Sequence, residues 1–227
     1  VIALEQQVLG RLDRLYPPRD TDKLLTQCKD ALGEPEPAAD STKWSERDAV
    51  LICYPDQIAD GDRAPLAVLE NILQEMGQVF STIHILPFYP SSSDRGFAVI
   101  DHRVVDDRFG SWANISSISS THQVMADLVL NHVSSSHRWV EEFRGDIESG
   151  RSCLKTASPD DDVSAVVRPR TSDLLVPCET AAGIKYLWCT FGPDQVDLDW
   201  EEPEVLLEML RVIDALLRAG IRWFRLD

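Results

Sequence analysis

From Ala49 onward the chain alternates short apolar runs with longer stretches of helical spacing, and that alternation restricts its fold more than any other feature. Val50–Tyr54, Thr82–Leu86, Val124–Leu130 and Ile221–Leu226 have the length and character of strands. Between them, Leu66–Phe80 sets Leu66, Leu69, Ile72, Leu73 and Met76 on one stripe. Pro203–Ala219 does the same with Val205, Leu206, Met209, Leu210, Ile213, Leu216 and Leu217. A shorter, weaker helical pattern lies near 113–121. Continuous apolar strands are buried on both faces, and parallel neighbours need a crossover helix. The pattern predicts an α/β chain built on a parallel sheet of about four strands.

Two regions depart from this rhythm. Residues 1–32 carry helical spacing at Ile2, Leu4, Val8, Leu9, Leu12 and Leu15, then Leu24, Leu25 and Cys28, with Pro17-Pro18 between the two helices. Residues 33–46, opening on Gly-Glu-Pro-Glu-Pro, read as a linker. Between His132 and Asp199 the alternation stops for roughly seventy residues, too many for a structureless loop. That stretch is expected to be a small inserted domain holding a hairpin, Leu174–Glu179 and Ile184–Thr190, turned at Ala181-Ala182-Gly183. The expected division is 1–48 leader and linker, 49–132 sheet domain, 133–199 insert and 200–227 sheet domain resumed.

Polar chemistry collects where the strands end. In Ile221–Asp227, alternation puts Ile221, Trp223, Arg225 and Asp227 on one face. Arg225 and Asp227 are then about 6–7 Å apart along the strand. A guanidinium at that range favours the ionised carboxylate, and an anionic carboxylate is what a nucleophile for sugar chemistry requires. On this octapeptide alone a structural Arg–Asp pair is the favoured reading, and the rest of the chain changes that. Two other strand ends are polar as well: Ser92-Ser93-Asp94-Arg95-Gly96-Phe97 after the second, and Asp127-Leu128-Val129-Leu130-Asn131-His132 at the third. In a (β/α)8 barrel such ends share the face that carries the active site.

Asp127-x-Val129-x-Asn131-His132 and Phe224-Arg225-Leu226-Asp227 resemble the first two signature regions of the α-amylase superfamily, glycoside hydrolase family 13. Ile83-His84-Ile85-Leu86-Pro87-Phe88-Tyr89-Pro90, Asp94-Arg95-Gly96-Phe97, Ile100-Asp101-His102, Phe109-Gly110-Ser111-Trp112 and Trp188–Asp199 resemble its sucrose-phosphorylase-like subfamily. Val167-Arg168-Pro169-Arg170-Thr171-Ser172 and the helical leader resemble the branch of sucrose 6-phosphate, glucosylglycerate and glucosylglycerol phosphorylases. The resemblance covers roughly residues 49–227. It implies the N-terminal part of a (β/α)8 TIM barrel, about four strands, with a small domain inserted after the third strand.

The same resemblance implies roles. Asp227 would be the nucleophile that forms a glucosyl ester, and Arg225 would hold it ionised and oriented. Asp94 and His132 would bond hydroxyls of the glucosyl ring, and Phe97 would pack on its apolar face. Gln195 would line the acceptor side. Arg168 and Arg170, in the insert, read either as forked donors for phosphate or an anionic acceptor or as a pair of surface arginines. Asp127 and Asn131 would brace the strand ends, while Asp197 and Asp199 are expected to cap or precede the helix near Pro203. Phosphate would then displace the sugar with net retention. A general-acid Glu after a fifth strand and a His-Asp pair after a seventh are implied beyond Asp227, so the segment alone is expected to be inactive. A hydrolase or transglucosidase of the same superfamily, and a non-catalytic binding subunit, are the competing readings.

Composition removes other classes. With 38 acidic against 22 basic residues the net charge is −16, which disfavours nucleic-acid binding. No apolar run has the length of a membrane helix, and the opening residues show no signal-peptide pattern, although they do not begin on Met. Cys28, Cys53, Cys153, Cys178 and Cys189 are odd in number with no C-x-x-C spacing, which points to reduced thiols in a cytoplasm rather than disulfides or zinc. No cofactor or metal is expected: Asp160-Asp161-Asp162 fits no calcium loop. The serine-rich pieces have no nucleophile-elbow setting. The expected partners are a small sugar and phosphate.

Overall fold

The computed structural model describes residues 2–34, 45–46, 48–168 and 170–227. Most of the expected linker, 35–44, lies outside them. In chain order the elements are α1 (Ile2–Leu15), α2 (Thr21–Leu32), β1 (Val50–Cys53), α3 (Pro65–Met76), β2 (Thr82–Ile85), α4 (Trp112–Ser119), β3 (Gln123–Leu128) and β4 (His132–Ser134). There follow α5 (Arg138–Arg144), α6 (Glu148–Cys153), β5 (Thr156–Ala157), β6 (Leu175–Thr180), β7 (Gly183–Trp188), β8 (Gln195–Asp197), α7 (Pro203–Arg218) and β9 (Ile221–Leu226). Pro65 and Pro203 stand in the first turns of α3 and α7, where a missing N–H has no helical partner to lose.

The frame is a four-stranded sheet in the order β1-β2-β3-β9, every pair parallel. Its helix-facing side joins Ile83, Ile85, Val124, Ala126 and Leu128 to Leu66, Leu69 and Leu73 of α3, Ile115 and Ile118 of α4, and Val212 and Leu216 of α7. Helices covering a parallel sheet are the outcome that its apolar strands dictate. The edge strands keep apolar side chains in the open, Ile52 on β1 at 61 % exposure and Leu226 on β9 at 67 %.

One register detail corrects the strand reading. Ile221 does not share a face with Trp223, Arg225 and Asp227. The pairing of β3 with β9 runs Val124 to Ile221 and then Met125 to Trp223, so Arg222 is an extra residue in a bulge. An inserted residue resets the alternation, and Ile221 turns into the helix-side core with Val124.

α7 contributes to three clusters. Val212 and Leu216 pack on the sheet, while Leu207, with Leu206 and Leu210 alongside, packs against Leu12, Tyr16, Leu24 and Cys28 of α1, α2 and the turn between them. Between β4 and β8 the chain forms a separate cluster, with Val133, Trp139, Val140, Phe143, Cys153, Leu154, Leu187 and Cys189 at its centre and Val205 and Met209 of α7 against it. β6 and β7 pair antiparallel as a hairpin, with β5 on the other side of β7.

Candidate active site

The sheet register brings β3 and β9 together so that Asp127 stands opposite Arg225. Arg225 Nη1 donates to Asp127 Oδ1 at 2.5 Å, and its Nη2 lies 2.7 Å from Asp227 Oδ1. Asp127 is fully buried, and its other oxygen meets His84 Nε2 at 2.9 Å. The Tyr89 hydroxyl donates to the Asp127 backbone carbonyl at 3.1 Å. A buried carboxyl group needs partners on both oxygens, and His84 and Arg225 supply them. Hydrogen bonding to Asp127 first, and the field of Asp227 after it, raise the Arg225 pKa further despite partial burial. The guanidinium is thus fixed by Asp127 and turns its remaining edge to Asp227. Backbone bonds from Asp227 N to Leu128 O, 3.1 Å, and from Leu130 N to Asp227 O, 3.0 Å, seat Asp227 beside the tip of β3.

A second group gathers next to it. Gln195, on β8 and buried, donates to Asp94 Oδ2 at 3.0 Å and lies 3.0 Å from His132 Nε2. His132 Nε2 also meets the Phe97 carbonyl at 3.1 Å, and its buried Nδ1 has no partner among the described residues. Burial lowers the His132 pKa; the Phe97 carbonyl and the carboxylates of Asp197, Asp227 and Asp94 act against that without reversing it. The ring is therefore neutral at ordinary pH. Phe97 joins the two groups, because the Arg225 guanidinium lies over its ring at 5.7 Å.

The loop that carries Asp94 is backbone-strained. Asp94 and Arg95 have φ of 53° and 51°, a left-handed conformation uncommon for residues with side chains. Gly96 follows at φ 105°, where an added Cβ would fall 2.8 Å from the Pro87 carbonyl oxygen. No residue but glycine fits that approach. A cavity of about 580 Å³ opens between this loop and the one after β1, with Tyr54, Asp56, Asp94, Arg95 and Arg108 among its walls. Asp94 is on that wall, whereas Asp227, Arg225 and His132 stand outside it.

Arg168 and Arg170 reach the site at second hand. Arg168 Nη1 donates to Ser172 Oγ at 3.4 Å and to the Thr190 carbonyl at 3.5 Å, and Arg170 Nε donates to the Phe191 carbonyl at 3.2 Å. The Phe191 ring lies 5.3 Å from that of His132. Asp197 does not cap α7. It accepts from Thr190 N at 2.9 Å and Thr190 Oγ1 at 2.6 Å, because β8 holds it inside the insert. Asp199 sits in the turn ahead of α7, accepting from Glu201 N at 3.2 Å and pairing with Lys155 at 3.3 Å. Sequence reasoning missed His84 and Asp194. A histidine inside the apolar run Thr82–Ile85 was a visible signal for the first; nothing in the sequence marked the second.

Carboxylates, a guanidinium and an imidazole meet near the C-terminal tips of parallel strands, the face on which barrel-type enzymes carry their active sites. The alpha-amylase catalytic-domain profile matches residues 53–227, and the chain belongs to that family. It is 42 % identical to the glucosylglycerate phosphorylase of Allomeiothermus silvanus over 99 % of this chain and 40 % of that protein. It is 38 % identical to the glucosylglycerate phosphorylase of Escherichia coli over 81 % of this chain and 33 % of that one. The crystal structure of sucrose 6F-phosphate phosphorylase from Thermoanaerobacter thermosaccharolyticum superposes with a TM-score of 0.74 and 26 % identity, covering 82 % of this chain and 41 % of that one. The chain thus spans about two fifths of the length of the relatives it matches.

Proposed function

We propose that the protein containing this chain is a retaining α-glucoside phosphorylase. It transfers a glucosyl unit from a glucosylglycerate, glucosylglycerol or sucrose-type donor to phosphate. One observation carries the reading: Arg225 is held by a buried carboxylate on one side and presents its free edge to Asp227 at 2.7 Å. A carboxylate held against a guanidinium is oriented, as a nucleophile must be.

Asp227 attacks the anomeric carbon, the glycosidic oxygen leaves with a proton, and a glucosyl–Asp227 ester forms. A phosphate oxygen then attacks the same carbon from the face the leaving group vacated, releasing Asp227 and giving α-glucose 1-phosphate with retention. The acid that protonates the leaving oxygen is expected beyond residue 227. Asp94 and His132 bond ring hydroxyls, and Phe97 gives an apolar wall. Gln195 sits between Asp94 and His132, so we assign it to the glucosyl side of the site as well as to the acceptor edge. Arg168 and Arg170, on the insert, face phosphate or an anionic acceptor. We also divide the chain at 48, 132 and 199, and place the enzyme in a cytoplasm, in keeping with five buried free cysteines.

The test is an assay of the full-length gene product with glucosylglycerate, glucosylglycerol and sucrose, each with and without inorganic phosphate. Phosphate-dependent α-glucose 1-phosphate is the expected product, with glucosylglycerate the first donor to try because the relatives at 42 % and 38 % identity are named for it. Equal release of glucose without phosphate would replace this reading with a hydrolase.

A further inference from the structure

The Asp194 carboxylate, in the turn before β8, is tied to two other loops. Its Oδ2 accepts from Ser92 Oγ at 2.5 Å and Ser93 Oγ at 2.6 Å. Its Oδ1 accepts from Ser135 Oγ, and its backbone carbonyl from Ser135 N at 3.1 Å. The hydroxyl protons can all run one way. Ser136 N–H donates to Ser134 Oγ at 3.0 Å, Ser134 Oγ–H donates to Ser92 Oγ at 2.5 Å, and Ser92 Oγ–H donates to the carboxylate. An anion at the end of the chain polarises every link toward itself. Burial works against ionisation of Asp194, yet the hydroxyls of Ser135, Ser92 and Ser93 outweigh it and hold its pKa below the usual carboxylate value.

The ties reach the segments that carry the candidate site. Ser93 precedes Asp94, whose left-handed backbone has to be held by its surroundings. Asp194 itself precedes Gln195. Ser134 lies on β4 with His132, and that strand pairs with β8 so that Ser134 faces Gln195. Resting on the glucosyl-transfer reading, we infer that Asp194 is a positioning residue: it fixes Asp94, His132 and Gln195 relative to one another without touching the sugar.

A double-mutant cycle in the full-length protein tests this, with Asp194→Ala, Asp94→Asn and the pair compared in kcat/KM for the donor. Asp194→Ala is expected to lose about 10- to 100-fold, the scale of a misplacement near 1 Å. The pair is expected to fall no more than about threefold below Asp94→Asn, because residues acting as one unit do not add. Multiplying losses, or an Asp194→Ala effect under about twofold, would overturn the inference. Asp194→Asn keeps the volume and serves if the alanine variant does not fold; the same non-additivity is expected at a smaller loss. Hydrogen exchange supplies a readout free of turnover. The amides of Gly96, Phe97 and Ala98, which bond back to Ser93 and Asp94, should exchange about tenfold faster in Asp194→Ala. Unchanged exchange there overturns the positioning role, whereas a wild-type enzyme without glucosyl transfer overturns only the functional reading.

Discussion

The tips of β3 and β9 and the segment between β4 and β8 both supply groups to one rim, but they are located by different forces. At the strand tips, backbone register does the placing: Asp127 and Arg225 are paired residues on adjacent parallel strands, and their ion pair follows from that pairing. In the segment between β4 and β8, the β4–β8 pairing is three residues long, and side-chain bonds add to the placing. Asp194 ties to serines of two other loops, and Asp197 ties to Thr190. A register-placed site resists the loss of any single hydrogen bond, whereas a tied site moves when one tie is cut.

The largest expected effect therefore comes from a group whose chemistry matters and whose backbone is seated against the tip of β3. Asp227→Asn in the full-length protein should leave the fold intact and lower glucose 1-phosphate formation by at least about 10⁴-fold, as loss of a nucleophile does. Intact-protein mass spectrometry should show no glucosyl ester. A trapped ester at another residue would remove the strand tip from the mechanism and break the comparison outright.

Asp127→Ala should come next, because it acts on the frame. Two partners lose their acceptor at once, His84 in the interior and the Arg225 guanidinium, which at 45 % side-chain exposure can still be hydrated. The expected cost is about 3 kcal/mol, the lower end for breaking a buried pair, read from the urea unfolding midpoint. A cost below about 1 kcal/mol would show that register alone holds Arg225.

The same division explains what could be read from the residues. β2, β3 and the helices α3 and α7 follow from apolar periodicity because burial on both sides leaves a continuous signal, as at Thr82–Ile85. Asp94, His132, Arg225 and Asp227 were singled out because polar residues follow the apolar runs, and their roles came from the family resemblance. Ile221 was misplaced because one extra residue, Arg222, resets alternation without any mark in a six-residue strand. Asp194 and its serines have no periodicity at all; their meaning exists only once loops more than ninety positions apart in sequence meet. Asp197 was misassigned for the same reason, since an acidic residue shortly before a helix reads as a cap until a closer donor pair, Thr190 N and Oγ1, is known.

Thr190→Val sharpens the contrast at a smaller scale. It keeps the side-chain shape and deletes the hydroxyl that donates to Asp197 at 2.6 Å and accepts from Trp188 Nε1 at 3.1 Å. A loss of about 1.5 kcal/mol is expected for a hydrogen bond to a charged group. Hydrogen exchange should rise in β7 and β8 while β2 and β3 stay protected. Exchange rising equally in both regions would mean that they unfold as one unit and that the distinction has no energetic content.

The last expected effect is a slope against pH rather than a single loss, and concerns acid sensitivity. His137, at the start of α5, is buried and its Nδ1 accepts from Trp139 N at 3.2 Å. Burial first, then Arg138 and Arg103, push its pKa down to about 4, with Asp101 and Glu208 acting the other way. The unfolded chain binds a proton at this residue below about pH 6.5, while the folded chain does not until about 4. Unfolding thus takes up a proton in that window. The stability this residue contributes is complete above about 6.5, falls as the pH drops toward 4, and changes no further below it. His137→Asn keeps a capping oxygen and removes the titration, so its stability should fall less steeply between pH 6 and 4, by up to about 1 kcal/mol per unit. An unchanged slope would assign the acid sensitivity of this region to its carboxylate ties, Asp194 foremost, whose contribution likewise disappears as the pH falls through a depressed pKa.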